Sequence, residues 1–210
     1  MRNCTAKILI ALTALVTIMA GAPPASADQT WTVGPATDGA EIDFEGTASG
    51  VTLTDNHTGA FYTCQRPWVA GETFAGSGQP GTGIAEIEAM GAGVCNGPAG
   101  MTFSITTTDF PWQFNAETFS DGVTTGTISG MSLHFSGPFC QADFDGPGGA
   151  GSGTGEVVGT YDNSAHQLVI SGGNLTISNV YSCLGLLQNG DSITLNGAYT
   201  LSPEITITSP

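Results

Sequence analysis

No stretch of this chain sustains the 3.6-residue apolar repeat of a helix. Short runs in which β-branched and polar residues alternate recur instead, and Gly, Asn or Pro interrupts them roughly every 8 to 15 positions. The clearest run is 41–45, Glu-Ile-Asp-Phe-Glu. A period of two places Glu41, Asp43 and Glu45 on one sheet face and Ile42 with Phe44 on the other. Residues 51–54 and 60–63 flank Asp55-Asn56-His57-Thr58-Gly59, a hairpin loop that makes His57 a turn residue. Further strands are expected at 83–89, 101–107, 112–119, 126–136, 155–161, 166–171, 174–182, 191–195, 198–201 and 205–208. The stretch 89–93 could form a helical turn, but its glycines keep it brief. Residues 146–155 are rich in glycine, read as a mobile loop, and are too few to separate two domains. The expected architecture is a single antiparallel all-β domain, a β-sandwich or flattened barrel.

The N-terminus carries a different signal. Arg2 and Lys7 precede an apolar run from 8 to 20, and Pro23-Pro24 leads into Ala25-Ser26-Ala27, the small-x-small pattern of a signal peptidase site. Residues 1–27 are therefore read as a signal peptide, cleaved between Ala27 and Asp28, and 28–210 as the secreted domain. The apolar run is too short for a membrane span of roughly 20 residues, so the mature protein is expected to be extracellular with no transmembrane segment. Of 210 residues, 183 would remain, with Arg66 as the sole cation against 18 acids, a formal charge of −17. A protein that tracks phosphates needs clustered cations, which excludes nucleic acid and anionic membranes as partners. With 40% hydrophobic and only 10% charged residues, the chain can still bury a core.

Cleavage removes Cys4 and leaves an even set, Cys64, Cys95, Cys140 and Cys183. In an exported chain this parity points to two disulfides, with three connectivities open. A weak internal similarity favours Cys64 with Cys95 and Cys140 with Cys183. Strands beginning at Val51, Met131 and Asn174 each lead to a cysteine closely preceded by an aromatic, as two equivalent sheets stapled at their rims would produce. A zinc site lacks support, because no C-x-x-C pair and no histidine at ligand spacing occurs.

Catalytic patterns are sparse. No G-x-S-x-G is present, since Ser77, Ser129 and Ser152 each miss a flanking glycine. His134 alternates away from Leu133 and Phe135, and His166 follows a turn, so both read as exposed. Glu86 with Glu88, or Asp143 with Asp145, could serve a glycosidase, which needs two carboxylates across a cleft. Asp143-Phe144-Asp145-Gly146 begins like a calcium loop, but the twelfth position is Thr154, where an EF-hand needs an acid. Trp68 and Trp112 each follow a proline and read either as exposed platforms for sugars or apolar ligands, or as core. Arg66 is expected to pair with a carboxylate or to stack on Trp68.

Four features together carry a resemblance: a strand leading to Cys64, Val94-Cys95 before a glycine-rich turn, Pro111-Trp112, and Ile128-Ser129-Gly130 opening a strand that ends at Cys140. The chain resembles small exported β-proteins of actinobacteria and is more distantly similar to secreted activator-of-alkane-oxidation proteins. The resemblance implies a non-enzymatic extracellular β-protein acting at cell surfaces or apolar interfaces, with no catalytic residues. The expected function is thus a secreted binding or envelope-associated protein without a cofactor, its ligand a glycan or an apolar surface. A carbohydrate-active hydrolase and a calcium-binding surface module are the alternatives.

Overall fold

A computed structural model describes residues 29–210; the expected leader, Cys4 and the Ala27–Asp28 cleavage site lie outside them. The chain forms strands almost throughout. Eight staves follow one another in sequence: β2 (Glu41–Thr47) with β3 (Gly50–Asp55), β4 (Phe61–Gln65) with β5 (Trp68–Phe74), β7 (Ala85–Gly91) with β8 (Val94–Asn96), β9 (Thr102–Thr108) with β10 (Trp112–Ser120), β11 (Val123–Gly137), β12 (Cys140–Asp145) with β13 (Gly155–Asp162), β14 (Gln167–Gly172) with β15 (Thr176–Tyr181), and β16 (Ile193–Ser202). Each stave pairs antiparallel with the next, and β16 returns to pair with both β2 and β3. The result is a closed up-and-down barrel. Closure pairs nearly every wall strand on both sides; β15 pairs with β12 alone and meets the start of β16 only through a Thr176–Ser192 bridge.

Two expected strands, 191–195 and 198–201, are one. β16 runs straight through Gly197, where a Cβ would press on the Val51 side chain. The stretch 89–93 is not a helical turn but the end of β7 and the break before β8. Three strands that the periodicity did not mark, β5, β8 and β12, complete the wall.

Most staves break at mid-height, which divides the barrel into two halves. One half is built from β2, β5, β7, β10, β13, β14 and the adjoining ends of β11 and β16. A three-stranded sheet of β1 (Trp31–Gly34), β6 (Gly76–Gln79) and β17 (Thr206–Thr208) closes its end. There Tyr161 Oη donates to the Ile205 carbonyl (2.8 Å) and Thr124 Oγ1 to that of Ile207 (3.2 Å). The other half holds β3, β4, β8, β9, β12 and β15, and it contains both disulfides.

Cys64–Cys95 joins directly opposed residues of β4 and β8, and Cys140–Cys183 joins the start of β12 to the segment after β15. The pairing is the sequential one. Its placement differs from the expected pattern, because the bridges share one half of a single barrel instead of stapling two equivalent sheets.

Alternation fills the barrel with side chains. In β2 every second residue is buried, and Phe44, Phe114, Ile128, Tyr161 and Tyr199 meet from different staves. In the bridged half Phe135 packs between Phe103 and Phe144, at centroid separations of 4.6 and 5.5 Å, with Tyr62 edge-on at 5.0 Å. An apolar void lined by Phe44, Ile87, Phe114 and Leu168 amounts to about 20 Å³, room for about one water. The larger hollows described open on the outer surface.

Candidate functional site

The outer wall of the bridged half carries the largest hollow described, about 470 Å³, bordered by Gly93, Val94, Thr102, Phe103, Ser104, Ser136, Gly137 and Gln141. A second hollow of about 280 Å³, bordered by Gln65, Arg66, Gly93 and Val94, shares two of those residues and extends the first along the wall. No carboxylate borders either one. This is a consequence of sequence: residues 89–108 hold no acid, 122–142 hold none, and the barrel sets these two stretches side by side. Short polar side chains take their place, with Ser104 Oγ 2.9 Å from Ser136 Oγ.

Arg66 sits where β4 breaks into β5, at φ 54°, a left-handed conformation uncommon outside glycine. The neighbouring stave holds it there: Gly93, at φ 67°, packs so closely on Gln65 that a Cβ would collide with the Gln65 carbonyl oxygen. The expected partner is not found. Among the described residues Arg66 makes no ion pair and no ring-stacking contact.

Two residues on, Trp68 begins β5 with 45% of its surface exposed. Its indole lies across Gly91, where a Cβ would collide with Nε1. Trp68 is thus an exposed aromatic face lying over Gly91, two residues from Arg66 in sequence, and it borders neither hollow. Trp112, by contrast, is core: 1% exposed, 4.6 Å from the Phe110 ring, with Nε1 donating to the Thr108 carbonyl (3.3 Å).

The carboxylates gather elsewhere. Asp43, Glu72 and Glu86 stand in register across β2, β5 and β7, with Glu41, Glu45 and Glu88 on the same strands. Glu41, Asp43 and Glu72 bring carboxylate oxygens within 4.8 Å of one another. Burial first, and then the charges of Glu41, Glu88 and Glu86, hold the Glu72 carboxyl above its ordinary value. These three could supply part of the six to eight oxygens that Ca²⁺ takes. Glu86 and Glu88 lie on this face and border none of the hollows described.

Asp143 and Asp145 do not form a catalytic pair. Asp143 accepts from Asn179 Nδ2 (2.8 Å) and lies 2.6 Å from His134 Nδ1. Asp145 is fully buried, and its Oδ1 accepts from the Gly146 amide (2.6 Å) and Ser152 Oγ (3.0 Å). Burial pushes the Asp145 carboxyl up, but hydrogen bonds from Gly146, Ser152 and Gly153 outweigh it and hold the group below its ordinary value. The glycine-rich segment is a loop, as expected, and Gly146, Ser152 and Gly153 donate to this carboxylate.

The three histidines are accounted for by acids. His57, in the hairpin loop, lies 2.9 Å from Asp191, whose hydrogen bond raises its pKa. His166 lies 3.5 Å from Glu204. Among the described residues no hydroxyl hydrogen-bonds to an imidazole, so a nucleophile activated by histidine is not assembled. No helix among the described residues is long and apolar enough to cross a membrane.

The chain matches no protein-family model, no curated protein and no solved structure. Of the residues singled out in the sequence for chemistry, Arg66 borders the hollow, and Trp68, two residues on, is exposed but outside its border. Val94, Ser104, Ser136 and Gln141 were missed, although the acid-free stretches that carry them stand out in so acidic a chain.

Proposed function

We propose that this is an exported, non-enzymatic binding protein that holds a saccharide on its outer wall, across the hollow between Trp68 and Gln141. The observation that carries the reading is the conjunction of a filled barrel with an acid-free exterior hollow bordered by Arg66, two residues before the exposed Trp68. Aromatic faces stack on the C–H faces of sugar rings, and hydroxyls and amides at the rim satisfy sugar hydroxyls. The two disulfides and the leader expected at 1–27 support export. The test is a glycan screen on the oxidised protein, read by tryptophan fluorescence. The expected result is saturable binding that Trp68→Ala weakens at least tenfold; glycan binding that Trp68→Ala leaves unchanged, or no binding at all, would contradict it.

A second reading, contact with an apolar surface, is favoured by Phe139, Tyr181 and Leu184. All three are exposed, Phe139 and Leu184 each directly beside a cysteine of the Cys140–Cys183 bridge. Adsorption to a hydrocarbon–water interface that Phe139→Ser abolishes would support it over the saccharide reading.

A further inference from the structure

We infer that the saccharide held in this hollow is an acidic one, a sugar whose ring carboxylate is received by Arg66. The inference rests on the saccharide-binding reading above and adds the ligand's charge. Seventeen side-chain carboxylates and a single Arg or Lys lie among the described residues, and none of those carboxylates pairs with Arg66. A guanidinium is a rigid planar fork of donors matched to a carboxylate, and its unused donors face a hollow from which acids are missing.

The setting is prepared in advance. Arg66 is fixed in a left-handed conformation between the Gln65–Gly93 contact and Pro67, so little backbone freedom remains to be lost on binding. Trp68, two residues along, can stack on the same ring whose carboxylate Arg66 receives, while Ser104, Ser136 and Gln141 meet hydroxyls of the next sugar.

A short saccharide with a terminal uronate at Arg66 places its next ring over the acid-free rim of Ser104, Ser136 and Gln141.

The experiment is calorimetric titration of the oxidised full-length mature protein with a glucuronate-terminated disaccharide, its methyl ester and the neutral disaccharide. The expected result is an affinity for the acid at least tenfold above that for the ester. Arg66→Gln should bring the acid down to the level of the ester, and Arg66→Lys, which keeps the charge and loses the fork, should fall between; thermal melts establish that each variant folds. Equal affinity for acid, ester and neutral sugar would overturn the inference and leave saccharide binding standing. A sulfated sugar bound more tightly than the uronate would overturn the choice of carboxylate. Failure of every sugar to bind would overturn both readings.

Discussion

The two halves of the barrel share their longest strands but are held together differently. The half capped by β1, β6 and β17 has no disulfide, and its outer wall sets Asp43, Glu72 and Glu86 in register, like charges opposed across neighbouring strands, an arrangement that opposes folding. The other half carries both bridges and an outer wall free of acid around the hollow. One wall spends stability on charge, and the other is stapled where it offers a site. A shallow site on a sheet needs a wall that does not flex, and covalent closure of the bridged half supplies that.

The strongest way to break the comparison is to cut the staples. Each bridge closes a loop of 31 or 43 residues, and chain-entropy arguments assign about 4 kcal/mol to each. The Cys64→Ser/Cys95→Ser double variant should lose about that much in urea unfolding. Hydrogen exchange should accelerate in β4, β8 and β9 before it does in β5 and β7; uniform acceleration would show that the halves are not separable.

Asp145→Ala comes next. It strips the acceptor from the amides and hydroxyl that shape 146–154, and the loss should be about 1–3 kcal/mol with new protease cuts in that segment. Because the folded carboxyl is held below its unfolded value, its contribution is complete above roughly pH 4 and is lost as pH falls through the lower folded value.

On the acidic wall the sign reverses. The folded Glu72 carboxyl lies above its unfolded value, so its ionisation works against folding once pH rises past the folded value. Glu72→Gln should raise Tm at pH 7, and the gain should fade as pH drops below roughly 4. A lower Tm at pH 7 would mean that the ladder is not repulsive.

The smallest effect belongs to His57. Asp191 raises its pKa, so its contribution is present below the unfolded value of about 6.5 and is lost as pH rises through the folded one. His57→Gln should therefore lower Tm slightly at pH 5.5 and not at pH 8.5.

Much of this fold is legible in the sequence because alternation is local. Ile42 and Phe44 announce β2, and the 55–59 loop announces the β3–β4 hairpin. What local pattern cannot give is closure: nothing in Val51 or Leu53 indicates that Gly197 and Leu195, about 140 residues later, lie beside them. β5 escaped notice because Ala70 and Gly71 dilute its apolar period. Gly71 is needed there, since a Cβ would collide with the Glu86 carbonyl. The site was half legible. Arg66 and Trp68 stand out by rarity, but Ser104 and Ser136 are unremarkable until β9 and β11 place them opposite each other.

The account turns on a ligand meeting the outside of the bridged half, not the barrel's interior or the acidic wall. The direct measurement is amide and side-chain NMR shift mapping of the oxidised protein during titration with a glucuronate-terminated disaccharide. Shifts confined to the Arg66 and Trp68 side-chain N–H groups and the amides of Val94, Ser104, Ser136 and Gln141 are predicted. Shifts centred on Asp43, Glu72 and Glu86, or on the interior around Phe114 and Tyr199, would contradict it.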